Sequence, residues 1–233
     1  MEIRRDTSPD GVLTVTMDDG NKNALTPEVF EGLIAVLDEE TDARAIVLTG
    51  REGILTAGLD VKWMAANGRE GVNDLLVGFG HALMRWWTDP RPTVCAASGH
   101  AIAAGTMFGM ACDHTVAAEG HWWGLTETQI DFEMPDFGTV LARHNVRTDR
   151  LEDLILTGAR IDAAAAVEAG YADELAPLGQ VLPRATERAR ELAELPARAY
   201  AGTKRRLRDA DARAVLAGLE ADIGDLTRHL PTS

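Results

Sequence analysis

The sequence predicts an α/β core followed by a helical C-terminal lobe, with a soft boundary near residue 150 that divides the chain into 1–150 and 151–233. Two observations carry this reading. Up to about Asp149, apolar runs of strand length alternate with segments of helical period, the order expected of βαβ units. Beyond that point the helical period continues with no convincing strand.

Taken in chain order, Val12 to Met17 largely alternate apolar and polar residues, the mark of a half-buried strand. Thr26-Pro27 then sets a capping residue before a proline at the first helical position, and Phe30, Leu33, Ile34 and Leu37 recur along one face. Ala45 to Thr49, ending at Gly50, reads as a fully buried strand. Val72 to Trp87 has a helical period. Thr93 to Ala97, closed by Ser98-Gly99, and His114 to Ala118 supply two more strands, and between them an apolar helix is expected to open at the small residues after Ser98 and run to Cys112. In the second part, Leu151 to Leu156, Ala163 to Ala169, Val181 to Leu195 and Ala210 to Leu226 read as helices.

With 45% hydrophobic and 26% charged residues, the 233-residue chain can build an ordinary globular core. No apolar run approaches the roughly 18 residues needed to cross a bilayer, and MEIRRDTSPDG lacks the apolar stretch of a secretory signal. Cys95 and Cys112 sit in apolar segments without metal-ligand spacing, so buried free thiols, no metal site and a cytoplasmic location are expected. Lys plus Arg number 23 against 37 Asp plus Glu, a formal charge of −14. That balance argues against nucleic acid, whose phosphates need a basic face. A phosphorylated ligand would require a small, local site of basic side chains and backbone N–H groups.

Three segments carry chemistry. Leu55-Thr56-Ala57-Gly58-Leu59-Asp60-Val61-Lys62 follows a buried strand with small residues that admit a ligand close to the backbone; on its own it also fits a plain strand-to-helix turn. Ser98 to Met107, with Ala103-Ala104-Gly105, places unpaired N–H groups at a helix start, where the dipole favours negative charge, although small residues there also serve close packing. In Gly124-Leu125-Thr126-Glu127-Thr128-Gln129-Ile130, a carboxylate lies among Trp122, Trp123, Leu125, Ile130 and Phe132. Apolar surroundings raise a carboxyl pKa and suit a general base near neutral pH, whereas a surface Glu at a helix end is the plain alternative.

In this order and spacing the segments resemble the crotonase (enoyl-CoA hydratase/isomerase) superfamily. Asn21-Lys22-Asn23-Ala24-Leu25, Ala111-Cys112-Asp113, Leu156-Thr157-Gly158 and Ala169-Gly170-Tyr171-Ala172-Asp173 add matches over most of the chain, the last resembling the family's Ala-Gly-Leu-Val segment. The resemblance implies a crotonase-like spiral of ββα turns with a C-terminal helical lobe used in oligomerisation and in part of the coenzyme A site, as a homotrimer or dimer of trimers. It implies an acyl-CoA substrate, no cofactor beyond the coenzyme A of that substrate, and no membrane partner. It also implies an oxyanion hole of two backbone N–H groups, which by motif position are those of Leu59 and Ala104, with Ala57, Gly58, Asp60, Gly105 and Met107 in the substrate and coenzyme A site and the Ala57 region lining its adenine end. Of the two glutamates of the hydratases, the first position is Met107 here and the second is Glu127. Gly-Leu-Thr-Glu-Thr is closer to the Gly-Leu-Asn-Glu-Thr segment of Δ3,Δ2-enoyl-CoA isomerases, which work with one glutamate in an apolar pocket, so single-Glu isomerisation is favoured. The alternatives are a hydratase or other crotonase reaction in which Asp136 supplements Glu127, and a non-catalytic acyl-CoA binder. Asp136-Phe137-Gly138-Thr139 resembles the Asp-Val-Gly-Thr of dienoyl-CoA isomerases, but Asp136 could instead cap a helix near Thr139. His100 and His121 are read as structural. Lys22, Lys62 and Lys204 are candidate partners for the coenzyme A phosphates, and each is equally compatible with a solvated surface charge.

Overall fold

In a computed structural model that describes residues 1–230, three successive turns of chain each lay one strand in a large sheet, one in a small sheet, and then a helix. The large sheet runs β1 (Glu2–Thr7), β2 (Val12–Asp18), β3 (Ala45–Thr49), β5 (Thr93–Ala97), β7 (His114–Ala118) and β10 (Glu174–Ala176). The small one holds β4 (Gly53–Ile54), β6 (Gly99–Ile102), β8 (Trp122–Gly124) and β9 (Ile161–Asp162). Thus β3 and β4 precede α2 (Val61–Trp87), β5 and β6 precede α3 (Ala104–Ala111), and β7 and β8 precede a 3₁₀ turn (Glu127–Ile130) and α4 (Asp136–Asn145). This is the ββα spiral that the resemblance implies. The remaining helices are α1 (Pro27–Glu39), α5 (Thr148–Thr157), α6 (Ala163–Ala169), α7 (Val181–Ala193) and α8 (Ala197–Leu226).

Strands β2, β3, β5, β7 and β10 are parallel, and β1 is antiparallel to β2 on the edge. The near-continuous apolar run of β3 and β5, with one terminal threonine each, follows from their being covered on both faces. Ile46, Leu48, Cys95 and Ala97 face the main core of α1, α2 and α3. Val47, Val94 and Ala96 face Val181, Ala185 and Ala189 of α7, which are spaced four apart on one helical stripe. Cys95 and Cys112 are both free and buried.

The expectation of helices alone after residue 149 is corrected. Two short strands lie there: β9 pairs with β8, and β10 extends the large sheet beside β7. With α7 covering the back of that sheet, residues 161–193 pack into the body of the fold. The expected helix start after Ser98 also moves, because residues 99–102 pair with β4 and β8 before α3 begins at Ala104.

Helix α2 is broken at Gly68, where φ is 60° and ψ −165°, a conformation that only glycine adopts readily. The stretch before the break is capped by Asp60, whose carboxylate accepts from the Lys62 and Trp63 N–H groups at 2.9 and 3.0 Å. No helix among the described residues is long and apolar enough to cross a membrane.

Candidate active site

The three segments converge on one apolar cavity of about 370 Å³. Ala57, Gly58 and Leu59 form one side, Ala103, Ala104 and Met107 another, and Thr126 and Glu127 a third. Leu76 and Phe79 of α2, with Phe137 of α4, line it as well, and Phe79 and Phe137 meet edge to face at 5.3 Å. Val61 and Ile130 line it while remaining largely exposed, so they sit at its mouth.

Two main-chain N–H groups in the cavity wall are left without partners. Leu25 bridges to residue 59 by donating to Gly58 O (2.9 Å) and accepting from Asp60 N (2.9 Å), which leaves the N–H of Leu59 unused. Gly58 takes φ +93° to make that turn, a left-handed value that suits glycine. On the other side Ala103 holds φ 50°, costly for a residue with a side chain, and its N–H donates to Gly124 O at 2.8 Å. The strained turn starts α3 at Ala104, whose N–H lies in the first turn and has no intrahelical partner. Neither the Leu59 nor the Ala104 N–H has a hydrogen-bond partner among the described residues.

Glu127 opens the 3₁₀ turn, which is tied down by Thr128 Oγ1 donating to Ile155 O (3.2 Å) and Gln129 Nε2 donating to Thr157 O (3.3 Å). Glu127 is 7% exposed. Its Oε2 is sealed from solvent without a partner. Burial pushes its carboxyl pKa up to about 7, its own backbone amide pulling slightly the other way. The folded protein therefore holds this proton more tightly than the unfolded chain does. Its contribution to stability is full below 4.5 and is lost as pH rises from 4.5 through about 7. The thermal midpoint of Glu127→Gln is expected to gain on that of the wild type as pH climbs through this window, measured by differential scanning calorimetry; parallel midpoints at every pH would contradict a raised carboxyl.

The other site expectations divide. Lys22 stands beside the mouth, since its carbonyl accepts from Ala57 N at 2.8 Å, and its side chain is exposed. Lys62, also exposed, follows Val61 at the rim. Gly105 is buried behind Ala104, with Thr56 at 3.5 Å from where a Cβ would stand. Three expectations are corrected. Asp60 spends its carboxylate on the cap of α2. Asp136 begins α4 with its side chain exposed and outside the cavity lining, while the flanking Pro135 and Phe137 face in; its N–H donates to Asp222 at 3.0 Å, and the helix begins at Asp136 itself rather than near Thr139. Lys204 is 6% exposed and its ammonium is bound to Asp113 (2.8 Å) and Arg91 O (3.0 Å), so an internal ion pair occupies the charge expected to meet a phosphate. His100 and His121 meet edge to face at 4.9 Å, away from the cavity lining.

The family profile described as enoyl-CoA hydratase/isomerase matches residues 7–231. The chain belongs to the enoyl-CoA hydratase/isomerase family. Among curated family relatives, enoyl-CoA hydratase EchA19 of Mycobacterium tuberculosis is 31% identical over 75% of this chain and 68% of that protein. A solved structure described as the apo enoyl-CoA isomerase of Mycobacterium tuberculosis superposes with TM-score 0.87 at 30% identity, covering 94% of this chain and 98% of that one. The human mitochondrial Δ3-Δ2-enoyl-CoA isomerase shares the fold with TM-score 0.93 at 22% identity, covering 98% and 91%. Both activity names occur among the family's members, so the reaction must be argued from the cavity.

Beyond the motif residues, the cavity uses Met64, Leu76 and Phe79 of α2, which the sequence did not mark for the site. Their only signal was apolar periodicity, which does not separate a pocket wall from a core.

Proposed function

We propose that this family member shifts the double bond of an enoyl-CoA, using Glu127 as the only proton carrier. The observation that supports this best is a single buried carboxylate in an otherwise apolar cavity, with Met107 where a hydratase would need a second acid. The N–H groups of Leu59 and Ala104 would hold the thioester oxygen as it gains negative charge. Removing one such donor typically costs about 10²- to 10³-fold in rate. Glu127 would take a proton from C2 and return it at C4 of the resulting enolate, or do the reverse. A carboxyl with a pKa of about 7 can do both near neutral pH, because neither protonation state is strongly preferred. Met107 and the phenylalanines would keep out the water that hydration requires.

Coenzyme A enters as part of the substrate. Its phosphates would meet Lys22 and Lys62, both solvent-exposed beside the cavity. The test is direct. Incubated with a 3-enoyl-CoA, the wild type is expected to produce the conjugated 2-enoyl thioester, followed by its ultraviolet absorbance. Incubated with a 2-enoyl-CoA, it is expected to form the 3-hydroxy product at least about 10²-fold more slowly, given the contribution of a missing acid–base group. Rapid hydration would reverse the assignment, and binding without any conversion would favour an acyl-CoA carrier.

A further inference from the structure

Leu59 lies in the irregular stretch between β4 and α2, so the place of its N–H depends on cross-links to the rest of the chain. Residues 55–60 lie against residues 22–25. Ala57 N donates to Lys22 O at 2.8 Å, Leu25 N to Gly58 O at 2.9 Å, and Asp60 N to Leu25 O at 2.9 Å. Two buried side chains complete this ladder. Asn23 donates from Nδ2 to Met17 O at 2.8 Å and to Leu55 O at 3.0 Å. Thr56, 3% exposed, donates its hydroxyl to Asn23 O at 2.5 Å and accepts from Gly58 N at 3.0 Å. The same side chain reaches the other half of the site with its methyl group. A Cβ built on Gly105 would stand 3.5 Å from Thr56 Cγ2. Gly105 follows Ala104, so Thr56 lies between the segments that carry the two unpartnered N–H groups.

Resting on the proposed reading that the Leu59 and Ala104 N–H groups hold the thioester oxygen, we infer that Thr56 is a positioning residue: its hydroxyl fixes the Gly58–Leu59 turn against Asn23 and so sets where the Leu59 N–H stands relative to Ala104. Glycine is the freest link in any backbone, and a bond on the Gly58 N–H restrains the chain at that link. Main-chain donors speed a reaction because they are held in place before charge develops. A donor that drifts still meets the neutral carbonyl of the bound thioester but steadies the enolate oxygen less. The loss therefore falls on kcat rather than on KM. Because the donor itself is main chain, the side chain that holds it is the part that substitution can reach.

The test is steady-state conversion of a 3-enoyl-CoA by Thr56→Val and Thr56→Ser. Valine keeps the shape and the methyl but removes the hydroxyl, whereas serine keeps the hydroxyl. Thr56→Val is expected to lower kcat about tenfold, short of the roughly 10²- to 10³-fold that follows outright loss of a donor, with KM within about twofold. Thr56→Ser is expected to hold kcat within about threefold of the wild type, because the bond to Gly58 N is restored. An unchanged kcat in Thr56→Val, a loss that appears in KM instead, or a fall that serine shares in full overturns the inference, whatever happens to the thermal midpoint. If Thr56→Val does not fold, Thr56→Ala against Thr56→Ser makes the same comparison without the methyl, and equal kcat values there count against the idea. Glu127→Gln separates the two levels. If that variant keeps turning over, the proposed mechanism falls and the role of Thr56 with it. If it is inactive while Thr56→Val keeps the wild-type kcat, only the Thr56 role is lost.

Discussion

Glu127→Gln is expected to lower the turnover of a 3-enoyl-CoA by about 10²- to 10⁴-fold, the range that a positioned proton carrier supplies. Glutamine keeps the length and volume of the side chain, so the apolar walls at Leu76, Phe79 and Phe137 still grip the acyl chain and KM should change little. The loss would then lie in steps after binding. It would not reflect unfolding, since the change removes a carboxyl that burial disfavours in its charged form. Steady-state kinetics with a thermal-shift control decides the matter. A fall of less than tenfold in a folded variant would move the proton transfer to some other group.

Asp113→Ala is expected to have the largest effect on stability. The Asp113 carboxylate accepts from Lys204 Nζ at 2.8 Å, Arg208 at 2.6 Å and Thr93 N at 2.8 Å, and so ties α8 to β5 and to the end of α3. The side chains of Asp113, Lys204 and Arg208 are 8%, 5% and 18% exposed. Burial lowers the Lys204 pKa, and the Asp113 charge works against that fall. Removing the anion leaves two cations enclosed with their charge unbalanced, which typically costs about 3 to 5 kcal/mol. For a chain of this size each kcal/mol lowers the midpoint by about 2 to 4 °C, so a drop of roughly 6 to 20 °C is expected in calorimetry. A change under about 2 °C would mean that the cluster contributes no net stability. Arg208 also donates to Trp87 O at 2.8 Å and lies over the Trp87 ring, so it keeps part of its anchorage in the variant.

What the sequence reveals depends on how local the determining physics is. Strands β3 and β5 were readable because burial on both faces demands unbroken apolar runs, and Gly50 and Ser98-Gly99 mark their ends. Strand β1, with Glu2, Arg4, Arg5 and Asp6, was not, since an edge strand in water needs no such pattern. Strand β6 looked like a helix start because Ala101 favours helix and the segment is rich in small residues, and only pairing with β4 and β8 decides its state. In the site, Leu59, Ala104, Met107 and Glu127 were found through motif order and share one cavity. Asp136 misled because the sequence does not fix the direction in which the first turn of α4 points. Lys204 misled because its partner, Asp113, is 91 residues away along the chain.

The break at Gly68 has a mechanical consequence. Residues 61–67 carry Val61 and Met64 at the doorway, while the stretch after the break carries Leu75, Phe79 and Leu83 in the foundation. One continuous helix would act as a lever, and any shift at the threshold would pry at the foundation. The glycine separates the two helical axes, so the threshold and the foundation are held by different contacts and the first is not a rigid extension of the second.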